Sequence, residues 1–89
     1  MSQYSRMAST DEQENSIKEV ENAFKQNSIR IAGATVIGRS PQTVILDVHY
    51  HGSEIYVNPD GEITIQDEQF YSVDSMAGKI KQIKETPQN

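Results

Sequence analysis

Three residues in one short stretch have the types and spacing to hold a metal ion. Asp47-x-His49-x-His51 repeats with period two. In an extended strand this puts all three side chains on one face, with successive side-chain bases about 7 Å apart. Two imidazoles at i and i+2 can ligate one divalent ion, and Asp47, or Glu54 beyond the following turn, can add an oxygen. The nitrogen and sulfur ligands end there, because the chain has two histidines and no cysteine. The same pattern also describes an ordinary exposed strand face. In that case the two imidazoles, which titrate at about 6.5 when unperturbed, offer a pH response at most.

A second group points to recognition. The stretch from Asp60 to Asp74 carries Asp60, Glu62, Asp67 and Glu68 beside Phe70 and Tyr71. Aromatic side chains rimmed by charge are typical of protein–protein contacts. An acidic surface can also compete with nucleic acid for a basic groove on a partner, because steering depends on the sign of the charge. The plain alternative is that Phe70 closes the core and the carboxylates keep the chain dispersed in water.

Catalysis has less to stand on. Asp47, Glu54 and Glu62 could approach one another on a solvent-facing sheet, but a general acid needs burial or a close partner to raise its pKa. Ser40 and Ser53 have no base set beside them by spacing, and no glycine-rich phosphate loop precedes a helix. The absence of cysteine removes thiolate nucleophiles, disulfides and cysteine-ligated zinc or iron–sulfur sites. The expectation is no enzyme and no cofactor.

Charge sharpens the choice of partner. Eight Lys and Arg face thirteen Asp and Glu, a formal net charge of −5. Between Arg39 and Lys79 there is no Lys or Arg, while Asp47, Glu54, Asp60, Glu62, Asp67, Glu68 and Asp74 all fall there. A nucleic-acid groove needs cations to release counterions, so direct nucleic-acid binding through this stretch is not expected. No apolar run approaches membrane-spanning length, and the opening Met-Ser-Gln-Tyr-Ser-Arg lacks the apolar stretch of an export signal. With no disulfides, the expected location is cytoplasmic.

The 89 residues suffice for one domain with one core. Residues 1–9 read as a disordered leader, 10–86 as a single α+β domain and 87–89 as a tail. Thr10 caps a helix over 10–26, with Gln13 placed to close a capping box and Asn27 as a left-handed stop. Ile17, Val20, Ala23 and Phe24 share one face, and Glu14–Lys18 and Glu21–Lys25 are i, i+4 pairs. From Ser28 the period changes to two. Four strands follow: the first from Ser28 and bulged near Gly33, the others over 43–51, 54–57 and 62–66. Asn58-Pro59-Asp60-Gly61 is a hairpin signal. Residues 67–71 read as a polar connection to a second helix capped by Ser72, with Val73, Met76, Ile80 and Ile83 inward and Lys79, Lys81 and Lys84 in its later turns.

The expected architecture is α-β-β-β-β-α, a four-stranded antiparallel meander with two helices packed on one face. Its core would be Ile17, Val20, Phe24, Ile31, Val44, Leu46, Val48, Ile55, Val57, Ile63, Ile65, Met76, Ile80 and Ile83.

Two family likenesses follow from these segments. Thr43-Val44-Ile45-Leu46-Asp47-Val48 with Gly52 to Ile63 resembles the meander of PepSY-type domains, which are generally extracytoplasmic. The element order is similar to that of a double-stranded-RNA-binding domain with one extra strand. That family opens its last helix with lysines, where this chain reads Ser72-Val73-Asp74-Ser75. Neither likeness is carried into the expectations below.

The leading expectation is therefore a non-catalytic protein-binding module that regulates or inhibits a larger protein. Its sharper form masks a basic nucleic-acid site, in the manner of phage or mobile-element inhibitors. The rivals are a metal-binding protein built on His49, His51 and Asp47, and a structural subunit that forms a homodimer through a strand edge.

Overall fold

A computed structural model describes residues 3–39, 41–48 and 53–85. The first long element is α1, Asp11–Gln26, and its start follows from Thr10. The Thr10 hydroxyl accepts the Gln13 amide at 3.1 Å, satisfying one of the first-turn donors. Gln13 does not complete the reciprocal half of a capping box. Its side-chain oxygen takes the Ser9 amide at 2.7 Å instead. At the other end Ser28, not Asn27, adopts the left-handed conformation, with φ +59°. The Ser28 amide reaches the Lys25 carbonyl and the Ile29 amide reaches the Phe24 carbonyl. These two bonds make a Schellman cap, and its apolar follower, Ile29, drops into the core at 4% exposure.

Among the described residues five strands follow, not four: β1 Ile31–Ile37, β2 Thr43–Val48, β3 Ser53–Val57, β4 Ile63–Ile65 and β5 Glu68–Phe70. They pair antiparallel in chain order. The extra strand lies where a polar connection was expected. Gln66 and Asp67 form a two-residue turn with φ +51° and +68°, and Ile65 pairs with Glu68 across it. Positive φ at both central residues suits the right-handed twist of a hairpin, but glycine or asparagine usually supplies it. Here two other residues take that conformation, so the turn carries none of the usual signal.

The β1 register shifts between Ile31 and Gly33. The shift moves Ile31 to a half-buried position and turns Gly33, Thr35 and Ile37 to the opposite face from Ala34 and Val36. Every other expected core residue is buried, and Ile29 joins them. Val44, Leu46, Val48, Ile55, Val57, Ile63 and Ile65 share one sheet face, and the apolar residues of both helices close over it.

The second helix, α2, spans Ala77–Glu85 and continues from a single 3-10 turn at Asp74–Met76. The Ser72 hydroxyl accepts the Ser75 amide at 3.2 Å, but it stands one residue before Val73, the N-cap of the 3-10 turn, and so does not cap α2 itself. Lys79 falls in the first turn of α2, not a late one, and it is buried. Its ammonium pairs with Glu68 and lies 3.3 Å from the Gln66 amide oxygen. The cation thus fastens α2 to the β4–β5 hairpin.

Residues 3–9, expected within a disordered leader, are tied down. Ser5–Met7 make a 3-10 turn, and Tyr4, Met7 and Ala8 pack against the core. The Glu21 carboxylate accepts the amides of Gln3 and Tyr4 at 3.0 and 3.2 Å. Apolar contact and charge-assisted hydrogen bonds together offset the entropy of ordering such a short segment. Among the described residues, no helix is long and apolar enough to cross a membrane.

Candidate functional site: the uncovered sheet face

The helices cover one side of the sheet and leave the other open. The register sets out that open face in rows. Thr35, Ile45, Tyr56, Thr64 and Gln69 form one continuous row across all five strands. Next to it runs Gly33–Asp47–Glu54. Ile45 is buried at 8% exposure although it faces away from the helices, flanked across the strands by Thr35 and Tyr56.

At one end of this face the polar side chains connect. The Thr43 hydroxyl donates to the Asn58 amide oxygen at 3.0 Å, and the Asn58 amide donates to Glu62 at 3.1 Å. The other Glu62 oxygen accepts the Tyr71 hydroxyl at 2.9 Å. The local fold accounts for this convergence. In the β3–β4 hairpin Gly61 has φ +91°, its amide bonds the Asn58 carbonyl, and the Asn58 amide bonds the Glu62 carbonyl. Asn58 and Glu62 are therefore cross-strand neighbours on the open face. Asp60, at the exposed tip, accepts the Glu62 amide at 2.9 Å. A side chain at Gly61 would meet Glu12 Cβ and Ser16 Oγ at 3.3 Å, so the hairpin sits tight against α1.

Electrostatics follow the same geometry. Its hydrogen bond to Glu62, the charge of that carboxylate and, last, the charge of Asp60 push the Tyr71 hydroxyl above its ordinary pKa of 10.0. The neutral phenol is the form that donates, and both carboxylates oppose its ionisation. Tyr71 is 72% exposed, so a large aromatic surface stands in water in an orientation set by Glu62.

The six residues expected to bind a partner divide between the two sides of the molecule. Asp60, Glu62 and Tyr71 gather at the β3–β4 end of the open face. Glu68 and Phe70 pair with Ile65 and Ile63, which puts both on the helix side. There Glu68 holds Lys79, and half-buried Phe70 packs against the core. Asp67 occupies the hairpin tip. The metal reading has one described member: Asp47, exposed in β2 opposite Glu54. His49 and His51 lie outside the described residues, and among those described no group of three or more such ligands could hold a metal ion.

Thr43, Tyr56, Asn58 and Thr64 were not anticipated as part of the face, whereas alternation along β2 already turns Ile45 to the same side as Asp47. Alternation within each strand already sets Tyr56 apart from Ile55 and Val57. Only the cross-strand register joins it to Ile45 and Thr64. No protein-family model, no curated protein and no solved structure matches this chain.

Proposed function

We propose that this chain is a non-catalytic protein-binding module whose uncovered sheet face docks on a basic surface of a larger partner. The observation that carries the reading is Tyr71, largely exposed yet held in one orientation by Glu62. Tyrosine is favoured at interfaces because its broad face is apolar and its hydroxyl stays bonded. Orienting it before contact removes part of the entropy cost of binding. Tyr56 lies further along the same face, and Asp47, Glu54, Asp60 and Glu62 give that side of the chain a negative sign with no Lys or Arg between Arg39 and Lys79. Such a surface suits a groove lined with Lys and Arg, and a regulator that masks a nucleic-acid site by this means, in the cytoplasm, is the sharper form of the proposal.

The test is a photo-crosslinking amino acid placed at Gln69, at Thr64 and, as a control, at Lys18 on α1, in extracts of cells that produce the protein. The proposal expects one basic protein captured from the two sheet positions and not from the helix position. Capture should fall as ionic strength rises, because exposed charges are screened. Capture from Lys18 alone, or equal capture at low and high salt, overturns it.

A further inference from the structure

The two edges of the sheet differ. β5 is three residues long and its Glu68 is engaged by Lys79. β1 is seven residues long, and Ile31-Ala32-Gly33-Ala34-Thr35-Val36-Ile37 contains no charge and no proline. Exposed strand edges are normally guarded by such residues, because unpaired amides and carbonyls recruit another strand. Val36 and Ile37 are 44% and 50% exposed, and they lie on opposite sides of this edge.

The register says which backbone groups are free. The Asn58 amide bonds the Glu62 carbonyl, so Asn58 points its backbone groups toward β4. Alternation carried through the paired registers turns Thr35 and Ile37 toward β2 and leaves the amides and carbonyls of Ala34 and Val36 on the open edge.

Charge indicates what pairs there. Asp47 and Glu54 stand directly opposite each other on β2 and β3, an arrangement that destabilises a sheet. The next place in their row is Gly33, with no side chain and open space where a Cβ would be. The row therefore lacks a cation and has a gap facing the β1 edge. Arg39, exposed just beyond the far end of β1, is the cation that an antiparallel copy would bring to that gap.

We infer that two copies of this chain pair antiparallel through β1, about a two-fold axis at Val36. Each copy sets its Arg39 beside the Gly33–Asp47–Glu54 row of the other. The pairing joins the two sheets into one, covers Val36 and Ile37, and places no charged residue within the ladder. It shares Asp47 and Glu54 with the face proposed to dock on a partner, but self-association of the purified chain needs no partner, so either reading can fail without the other.

Sedimentation of the full chain over a range of concentrations tests it. The expected result is a concentration-dependent rise toward twice the 10.0 kDa chain mass. Val36→Pro removes an amide that the register turns away from β2, so it should weaken the dimer at least about tenfold with unchanged circular dichroism. Ile37→Lys, a guard on the same edge, is the second probe should the proline variant not fold. Arg39→Asp and Asp47→Arg should each weaken association, and the double variant should regain it. A chain that keeps its monomer mass up to about 1 mM overturns the inference. So does a dimer untouched by folded edge variants, or a double charge swap no better than the single ones.

Discussion

The Gln13 side chain donates to the Val57 carbonyl at 2.8 Å, joining the first helix to the end of β3 across 44 residues of chain. The same amide donates to the Gln42 carbonyl at 2.7 Å, and its oxygen accepts from Ser9. One fully buried amide therefore satisfies the N-terminal segment, the β1–β2 connection and the end of a strand.

Replacing Gln13 by Leu keeps the volume and leaves these carbonyls without their donor. Orphaned buried polar groups cost about 1–3 kcal/mol each, so Gln13→Leu should lose about 2–4 kcal/mol in urea unfolding. A loss below about 0.5 kcal/mol would mean that water replaces the amide.

The Gln66-Asp67 turn runs against intrinsic preference. Left-handed backbone at an ordinary residue costs roughly 1–2 kcal/mol, less at Asp. Asp67→Gly should therefore raise stability by about 0.5–1 kcal/mol, and Gln66→Asn with Asp67→Gly by somewhat more. The midpoint of chemical unfolding reads the gain directly.

The Lys79–Glu68 pair is lopsided: the Lys79 side chain is 7% exposed and that of Glu68 56%. Removing the carboxylate leaves a buried ammonium, whereas removing the ammonium leaves a carboxylate already in water. Glu68→Ala should cost about 1–2 kcal/mol and Lys79→Met less than about 1 kcal/mol, because an apolar chain of similar length suits the site. Equal losses in the two unfolding curves would contradict this asymmetry.

Tyr71 should ionise above the ordinary 10.0, and Glu62→Gln should bring its titration, followed by tyrosinate absorbance, down toward that value. The linked effect on stability has a definite sign. A folded pKa above the unfolded one stabilises fully below about 10 and fades as pH rises through the higher folded value. Stability should therefore decline more steeply above pH 10 in the native chain than in Glu62→Gln. An identical titration in both would remove Glu62 as the cause.

Local rules account for much of the architecture. Thr10 at a cap, the spacing of Ile17, Val20 and Phe24, the alternation from Val44 to Val48 and the Pro59-Asp60-Gly61 turn each express short-range sterics or periodicity, which neighbouring residues determine by themselves. Both helices, four of the strands, the bulge near Gly33 and nearly all of the core were legible for that reason. Ile29 enters the core as the apolar follower of a cap on Ser28 rather than Asn27, a difference of one residue that local preference separates weakly, while the register shift beside Gly33 leaves Ile31 half-buried.

What remained hidden depends on groups far apart in the chain. β5 forms because β4 offers it a free edge and Lys79 anchors its turn, although Gln66-Asp67 carries no turn signal. Gln13 reads as a local cap residue until Gln42 and Val57 arrive beside it. The acidic stretch reads as one surface, but pairing with β4 sends Glu68 and Phe70 to the helix side and leaves Tyr71 with Glu62 on the other. Residue types and their period set each strand's two faces. Which faces meet, and which carboxylate finds which partner, is decided only when long-range pairing fixes the register.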